Sequence, residues 1–283
     1  MLGVRFLTVQ IGARTILSDM TMSFPKGRLS VIIGPNGAGK STLLRVLSGE
    51  MRPSQGRVRF GGMDLHSIDA HALASRRAVM PQATQLAFPF RVEEVVALGA
   101  SVPAFASRTQ DASVREAMAI ADVAHLAGRD YMRLSGGERQ RVHFARALCQ
   151  LLAAKAAPET TVLLLDEPTS SLDLPHQMHL MERASVEAGR GRTVVAVLHD
   201  LNLAATWADQ IVALAGGTLA AVGRPADVLT SKCLSEVYRY PISVSELEGS
   251  AGTPAILPQK MRLGEKRDMS ASNDNSGLYP FEG

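Results

Sequence analysis

The chain has 283 residues, 46% of them hydrophobic, which is ample for a buried core and fits one elaborated α/β unit better than two large domains. Its net charge of +3 is a small excess spread along the chain, too weak a signature for nucleic-acid binding, though compatible with contact at an anionic membrane surface. Two cysteines, Cys149 and Cys233, stand far apart without metal-ligand spacing, so a disulfide scaffold and a zinc site drop out and a reducing cytosol is the simplest compartment.

The N-terminal "MLGVRFLTVQIG" alternates like a strand and lacks the apolar core and cleavage site of a signal peptide. No apolar run of about 18 residues occurs, so neither membrane crossing nor export by that route is expected. The stretches "RFLTVQI", "TMSF", "GRLSVIIG" and "GRVRFGG" read as strands separated by turn residues. Within them, "LSVII" suits a buried parallel strand and "STLLRVLSGE" carries Leu43, Leu44, Val46 and Leu47 at helical spacing. The glycine-rich "GPNGAGKST" lies between the two. Glycines there let successive N–H groups face an anion, the following helix N-terminus adds its dipole, Lys40 supplies a point charge and Ser41 a hydroxyl for Mg²⁺. That arrangement points to a phosphate chain.

From about Pro81 to Leu152 the composition turns Ala- and Leu-rich, with "VEEVVALGA", "SVREAMAIADVAHLA" and "ERQRVHFARALCQLLA" at helical periodicity, which predicts an inserted helical subdomain. Apolar runs resume at "TVLLLDEP" and "TVVAVLHD" with a polar helical stretch between them, a βαβ alternation. "QIVALAGGTLAAVG" predicts a hairpin through Gly216 and Gly217, and the tail from about Gln259, including "SASNDNSG", has the composition of a disordered segment.

Two carboxylates end the strand "VLLLDEP". At the C-terminal edge of an open α/β sheet, Asp166 can contribute to a Mg²⁺ shell and Glu167 can polarise an attacking water. His199 ends the next strand in the same manner, within reach of a γ-phosphate or of Glu167. "LSGGERQRV" adds a second anion-binding feature, a Ser-Gly-Gly run entering a basic helix. Two such features are redundant in one site but not in two copies meeting head to tail, each completing the other's nucleotide site.

At this point residues 1 to about 245 resemble the ATP-binding subunits of ABC transporters. "GPNGAGKST" is similar to the Walker A loop, Gln82 in "MPQATQ" to the Q-loop glutamine and "LSGGERQ" to the signature motif. "LLLDEP" is similar to Walker B, "SSLD" to the D-loop and "LHD" to the switch-histidine segment. The resemblance implies an α/β fold: a P-loop NTPase (RecA-like) core over 1–81 and 153–245 with an N-terminal antiparallel β subdomain, a helical signature subdomain over 82–152, and a C-terminal tail over 246–283. It implies that Gly34, Pro35, Asn36, Gly37, Ala38, Gly39, Lys40, Ser41 and Thr42 hold ATP, and that Ser135, Gly136, Gly137 and Asp173 contact the partner's nucleotide. Ser41, Gln82 and Asp166 are then the Mg²⁺ residues, and Glu167, His199, Lys40 and Gln82 the catalytic ones. It further implies a homodimer on two permease subunits, peripheral at the cytoplasmic face of a bacterial inner membrane, served indirectly by a periplasmic binding protein.

Within that family "AFPFRVEEVVALG", "LHDLNLAA" and "PAILP" resemble the ATPases of heme, ferric-siderophore and cobalamin importers, with the heme importers nearest. Siderophore or cobalamin import is the alternative cargo. A soluble ABC ATPase would bring a second cassette or a long coiled coil, and a small-molecule kinase leaves "LSGGERQ" unexplained. Phe88, Phe90 and Val92 fall where the family docks its permease, as a partner groove or as internal packing. The chain departs from the family at Ile11, where an aromatic residue usually stacks on adenine; Arg14 is a candidate substitute as a stacking cation. In the tail, Lys260, Arg262, Lys266 and Arg267 suit a solvated segment or contact with anionic lipid.

Overall fold

A computed structural model of the chain describes residues 2–82, 88–100, 107–154, 156–246 and 253–259. In chain order the elements are β1 (Leu2–Ile11), β2 (Arg14–Phe24), β3 (Arg28–Ile33), α1 (Lys40–Leu47), β4 (Gln55–Phe60), β5 (Met63–Asp64), α2 (Ala70–Ala74) and β6 (Arg77–Met80). The helices α3 (Val92–Ala97), α4 (Ser107–Ile120) and α5 (Gly136–Ala154) follow. The alternation then resumes with β7 (Val162–Asp166), α6 (Leu174–Gly189), β8 (Thr193–Val197), α7 (Leu201–Trp207), β9 (Gln210–Ala215) and β10 (Thr218–Gly223). After β10 the described residues add α8 (Pro225–Val228), α9 (Ser231–Tyr238), β11 (Ile242–Glu246) and β12 (Pro254–Pro258).

Among the described residues six strands form the central sheet, in the order β10-β9-β3-β8-β7-β6. β9, β3, β8, β7 and β6 run parallel, and β10 closes one edge antiparallel to β9 through the predicted hairpin. Side chains of β3, β7 and β8 alternate between two cores: Leu163 and Leu165 face one, Val162 and Leu164 the other, and both sets are buried. A sheet covered on both faces demands apolar residues at successive positions, which is why "LLL" and "TVVAV" read as continuous runs rather than alternating ones. A second, antiparallel sheet, β2-β1-β4-β5, packs its inner residues Leu7, Leu17 and Phe24 with α1 into the second core.

The inserted helices α3, α4 and α5 share the first core with β6 and β7, through Val95, Val96, Met118, Phe144 and Leu148. Val92 is among these fully buried residues, so it belongs to internal packing and not to an exposed groove. Parallel strands aim their C-terminal ends in one direction, so the residues after β3, β7 and β8 emerge at one sheet edge. Beyond β10 the chain adds a short strand pair: β11 and β12 are antiparallel, and β12 lies against α7. The basic residues Lys260, Arg262, Lys266 and Arg267 and the segment "SASNDNSG" lie outside the described residues.

Candidate active site

The loop from Gly34 to Gly39 joins β3 to α1 with left-handed backbone at Gly34 (φ +145°), Gly37 (φ +79°) and Gly39 (φ +95°). Space enforces glycine at Gly34, and at Gly39 the left-handed backbone is joined by crowding from a side-chain end. A Cβ on Gly34 would lie 2.2 Å from the Leu214 carbonyl oxygen, and one on Gly39 would lie 2.4 Å from a Leu17 methyl. Lys40 is buried, and its ammonium donates to the carbonyls of Gly34 (2.7 Å) and Pro35 (3.0 Å), curling over the loop. Burial lowers its pKa, while the nearby carboxylates of Glu167 and Asp166 oppose that shift. The loop opens onto a cleft of about 280 Å³ lined by Asn36, Gly37, Gly39, Lys40, Ser41, Thr42 and Glu167, with Arg14 and Ile16 at its side. Bare backbone, a buried cation and a helix N-terminus facing one cleft fit a polyphosphate.

Ser41 Oγ donates to Asp166 Oδ1 at 3.3 Å. Asp166 is buried, and burial together with the Glu167 charge raises its pKa, which leaves this carboxylate short of positive charge. A hydroxyl and a carboxylate in contact form a hard oxygen donor pair suited to Mg²⁺, which takes few protein ligands and completes its shell with phosphate and water. Gln82 is not part of this pair in the structure; it sits on Glu167.

Glu167 follows β7 with φ +49°, a left-handed conformation uncommon for a residue with a Cβ. Both carboxylate oxygens are engaged. Gln82 Nε2 donates to Oε2 at 2.7 Å, and His199 Nε2 lies 2.6 Å from Oε1. The glutamine after β6, the carboxylate after β7 and the histidine after β8 thus converge from three neighbouring strands.

The "LSGG" turn lies at a different place. Ser135 caps α5 in a reciprocal box: Glu138 N–H donates to Ser135 Oγ (3.2 Å) and Ser135 N–H to Glu138 Oε2 (2.7 Å). A cleft of about 370 Å³ there is lined by Ser135, Gly136, Gly137, Arg141, Asp173 and His176 among others, and it shares no lining residue with the cleft at Lys40. Asp173 caps α6 by accepting from His176 N–H at 3.3 Å and also pairs with the His176 ring, which holds its pKa below the usual carboxylate range. Within one chain the second anion-binding feature therefore contributes nothing to the first cleft.

The ABC transporter family pattern matches residues 17–170, more than half of the chain and all of the span from the glycine loop to Ser170. The chain belongs to the ABC transporter family. A hemin import ATP-binding protein of Rhodopseudomonas palustris, HmuV, is 47% identical over 246 residues, 87% of this chain and 90% of that protein. Among solved structures, a metal-chelate type ABC transporter in an inward-facing conformation aligns with TM-score 0.75 at 26% identity, over 92% of this chain and 97% of that one. A dimeric bacterial ABC transporter cassette aligns with TM-score 0.69 at 25% identity, over 80% of this chain and 99% of that one.

The residues near the position where the family stacks an aromatic ring divide between surface and cleft. Ile11 is 52% exposed and does not line the Lys40 cleft, whereas Arg14 and Ile16 do. At the expected permease-docking segment, Phe88 is 69% exposed and meets the half-buried Phe90 edge-on at 6.4 Å. Residues 83–87 of that segment, the part of "MPQATQ" and "AFPFRVEEVVALG" between Gln82 and Phe88, lie outside the described residues.

Sequence reasoning missed three residues around this site. Tyr238 of α9 accepts a hydrogen bond from Gly34 N–H at 3.1 Å, joining the C-terminal helix to the start of the phosphate loop. Asn202 grips β12 on both sides, its Oδ1 accepting from Ile256 N–H (2.9 Å) and its Nδ2 donating to Ile256 O (3.4 Å). The motifs "LHDLNLAA" and "PAILP" are thereby one physical unit: His199 meets Glu167, Asp200 caps α7, and Asn202 holds the closing hairpin. Gln140 reaches back from α5 to the end of β7, and its only sequence signal was its place inside "LSGGERQ".

Proposed function

We propose that the chain is the ATP-hydrolysing subunit of a hemin importer, acting as a homodimer bound to two permease subunits at the cytoplasmic face of a bacterial inner membrane. The observation that carries the reading is the pair of clefts, one at Lys40 and one at Ser135, with no lining residue in common. Two copies arranged head to tail bring the Lys40 cleft of one against the Ser135 cleft of the other, which gives each nucleotide two anion-binding surfaces. Support for the dimer comes from the similarity to a solved dimeric cassette, and support for the cargo from the similarity to the hemin import protein. No helix among the described residues is long and apolar enough to cross a membrane, and in this reading the passage belongs to the permease subunits.

In this reading Lys40 and the loop from Gly34 to Thr42 hold the phosphates of ATP, and Ser41 and Asp166 hold Mg²⁺. Mg²⁺ bound there offsets charge on the phosphate oxygens. Glu167 orients water and accepts its proton as the water oxygen attacks the γ-phosphorus and the bond to the β–γ bridging oxygen breaks, giving ADP and phosphate. Gln82 and His199 hold the two carboxylate oxygens of Glu167, so removal of either loosens the base more than it weakens nucleotide binding. Closure of the dimer on ATP pulls on the permease through the segment around Phe88, and hydrolysis reopens it. A periplasmic heme-binding protein delivers the cargo from outside.

The test is ATPase activity of this subunit with its permease in proteoliposomes, supplied with binding protein loaded with heme, a ferric siderophore or cobalamin. Stimulation by heme alone is the expected result. Stimulation by another load discards the cargo while keeping the catalytic roles.

A further inference from the structure

We propose that Gln140 is a positioning residue for hydrolysis, fixing the backbone on which Glu167 is carried; this rests on reading Glu167 as the group that orients water. Gln140 lies one turn into α5 and is 8% exposed. Its Nε2 donates to the Glu167 carbonyl at 2.7 Å and to Ser170 Oγ at 3.3 Å, and its Oε1 accepts from Ser171 N–H at 3.1 Å. These three bonds use both amide hydrogens and the amide oxygen.

Glu167 needs such an anchor. With φ +49° it occupies a region that a residue with a Cβ avoids unless its surroundings hold it there, and φ sets where the Cα–Cβ bond aims. Gln82 and His199 secure the far end of the side chain, but both reach it from outside β7. Gln140 secures the near end, together with a 3.3 Å bond from Ser170 N–H to the same carbonyl. The loop after Glu167 is itself wedged by the start of α5: a Cβ on Gly137 would lie 3.0 Å from the Ser171 carbonyl oxygen. The "LSGG" turn, residues 170–171 and the Glu167 carbonyl are therefore held as one body, with the Gln140 amide as its fastener. Gln140 lines neither of the two clefts, so its effect on the reaction passes through Glu167.

The experiment measures steady-state hydrolysis by the subunit in complex with its permease, titrating ATP for the wild type, Gln140→Leu and Gln140→Glu. The Glu variant keeps the acceptor for Ser171 N–H and loses the donor to the Glu167 carbonyl. Both variants should lose about tenfold or more in kcat, since small displacements of a catalytic group are that costly, with KM for ATP changing less than about twofold. In a Glu167→Gln background, Gln140→Leu should remove little further activity, because the two act as a unit. A kcat within twofold of wild type in both variants overturns the proposal, as does a full tenfold loss added on top of Glu167→Gln. If Gln140→Leu does not fold, Gln140→Glu decides alone. Rapid hydrolysis by Glu167→Gln by itself would instead sink the role of Glu167, a separate failure.

Discussion

Replacing Tyr238 with Phe tests how far the C-terminal helix supports the phosphate loop. The substitution removes one oxygen and leaves the ring packed against the first core. What is lost is the acceptor 3.1 Å from Gly34 N–H, on a residue whose Cβ position is already filled by the Leu214 carbonyl, so the loop cannot shift to find another partner there. A buried N–H left unpaired costs about 1–3 kcal/mol. At roughly 2–4 °C per kcal/mol for domains of about 150–250 residues, Tm should fall by about 2–12 °C in a thermal melt without nucleotide. Burial pushes the Tyr238 hydroxyl up to about 12, so it stays protonated in ordinary buffers and the deficit should be the same at pH 7 and pH 9. Above pH 10 the sign is set by the raised pKa: the unfolded phenol ionises first, so the wild type loses stability toward pH 12 while the variant lacks that loss. A Tm within 1 °C of wild type at pH 7 would refute the claim that α9 braces the loop.

Arg14→Ala should raise the Kd for ATP by about 2- to 30-fold, the range for loss of a cation over an aromatic face, as read by equilibrium binding of a fluorescent ATP analogue; an unchanged Kd would refute stacking of Arg14 on the base. His143 is buried, shares a 2.6 Å hydrogen bond with Tyr131, and is driven down to about 4 by burial with Arg146 nearby. Its folded pKa is depressed, so between about pH 6.5 and 4 the unfolded chain binds the proton that the folded one refuses, and stability is lost as pH falls. His143→Phe should flatten that limb by roughly 3 kcal/mol in urea unfolding at pH 4 against pH 7, and an acid limb as steep as wild type would count against it.

Much of this protein was legible without coordinates because its chemistry is local. The glycine loop, the strand ending in Asp166 and Glu167, and the turn before α5 each declare a phosphate or carboxylate site within a few consecutive residues, and the apolar runs of β7 and β8 identify strands buried on both faces. The hairpin through Gly216 and Gly217 followed from its turn chemistry in the same way. Other features depend on partners far away in sequence. β6, only four residues long, carries no periodicity of its own and is a strand because β7 pairs with it. Val92 could not be assigned to core or surface until its burial in the first core was seen. The seat of β12 against α7 runs through Asn202, 54 residues before Ile256.

Residue order alone shows which groups end the strands and where two glycine-bearing turns enter helices, because backbone permissiveness and side-chain type are properties of single residues and short spacings. Which of these groups touch is a property of the fold. Gln82 engages Glu167 rather than the Ser41–Asp166 pair, Arg14 and Ile16 rather than Ile11 line the Lys40 cleft, and Gln140 and Tyr238 reach Glu167 and Gly34 from α5 and α9. Contacts of this kind bridge from 27 to 204 residues of chain, and they exist because the parallel sheet gathers the ends of β3, β6, β7 and β8 at one edge, which no local pattern encodes.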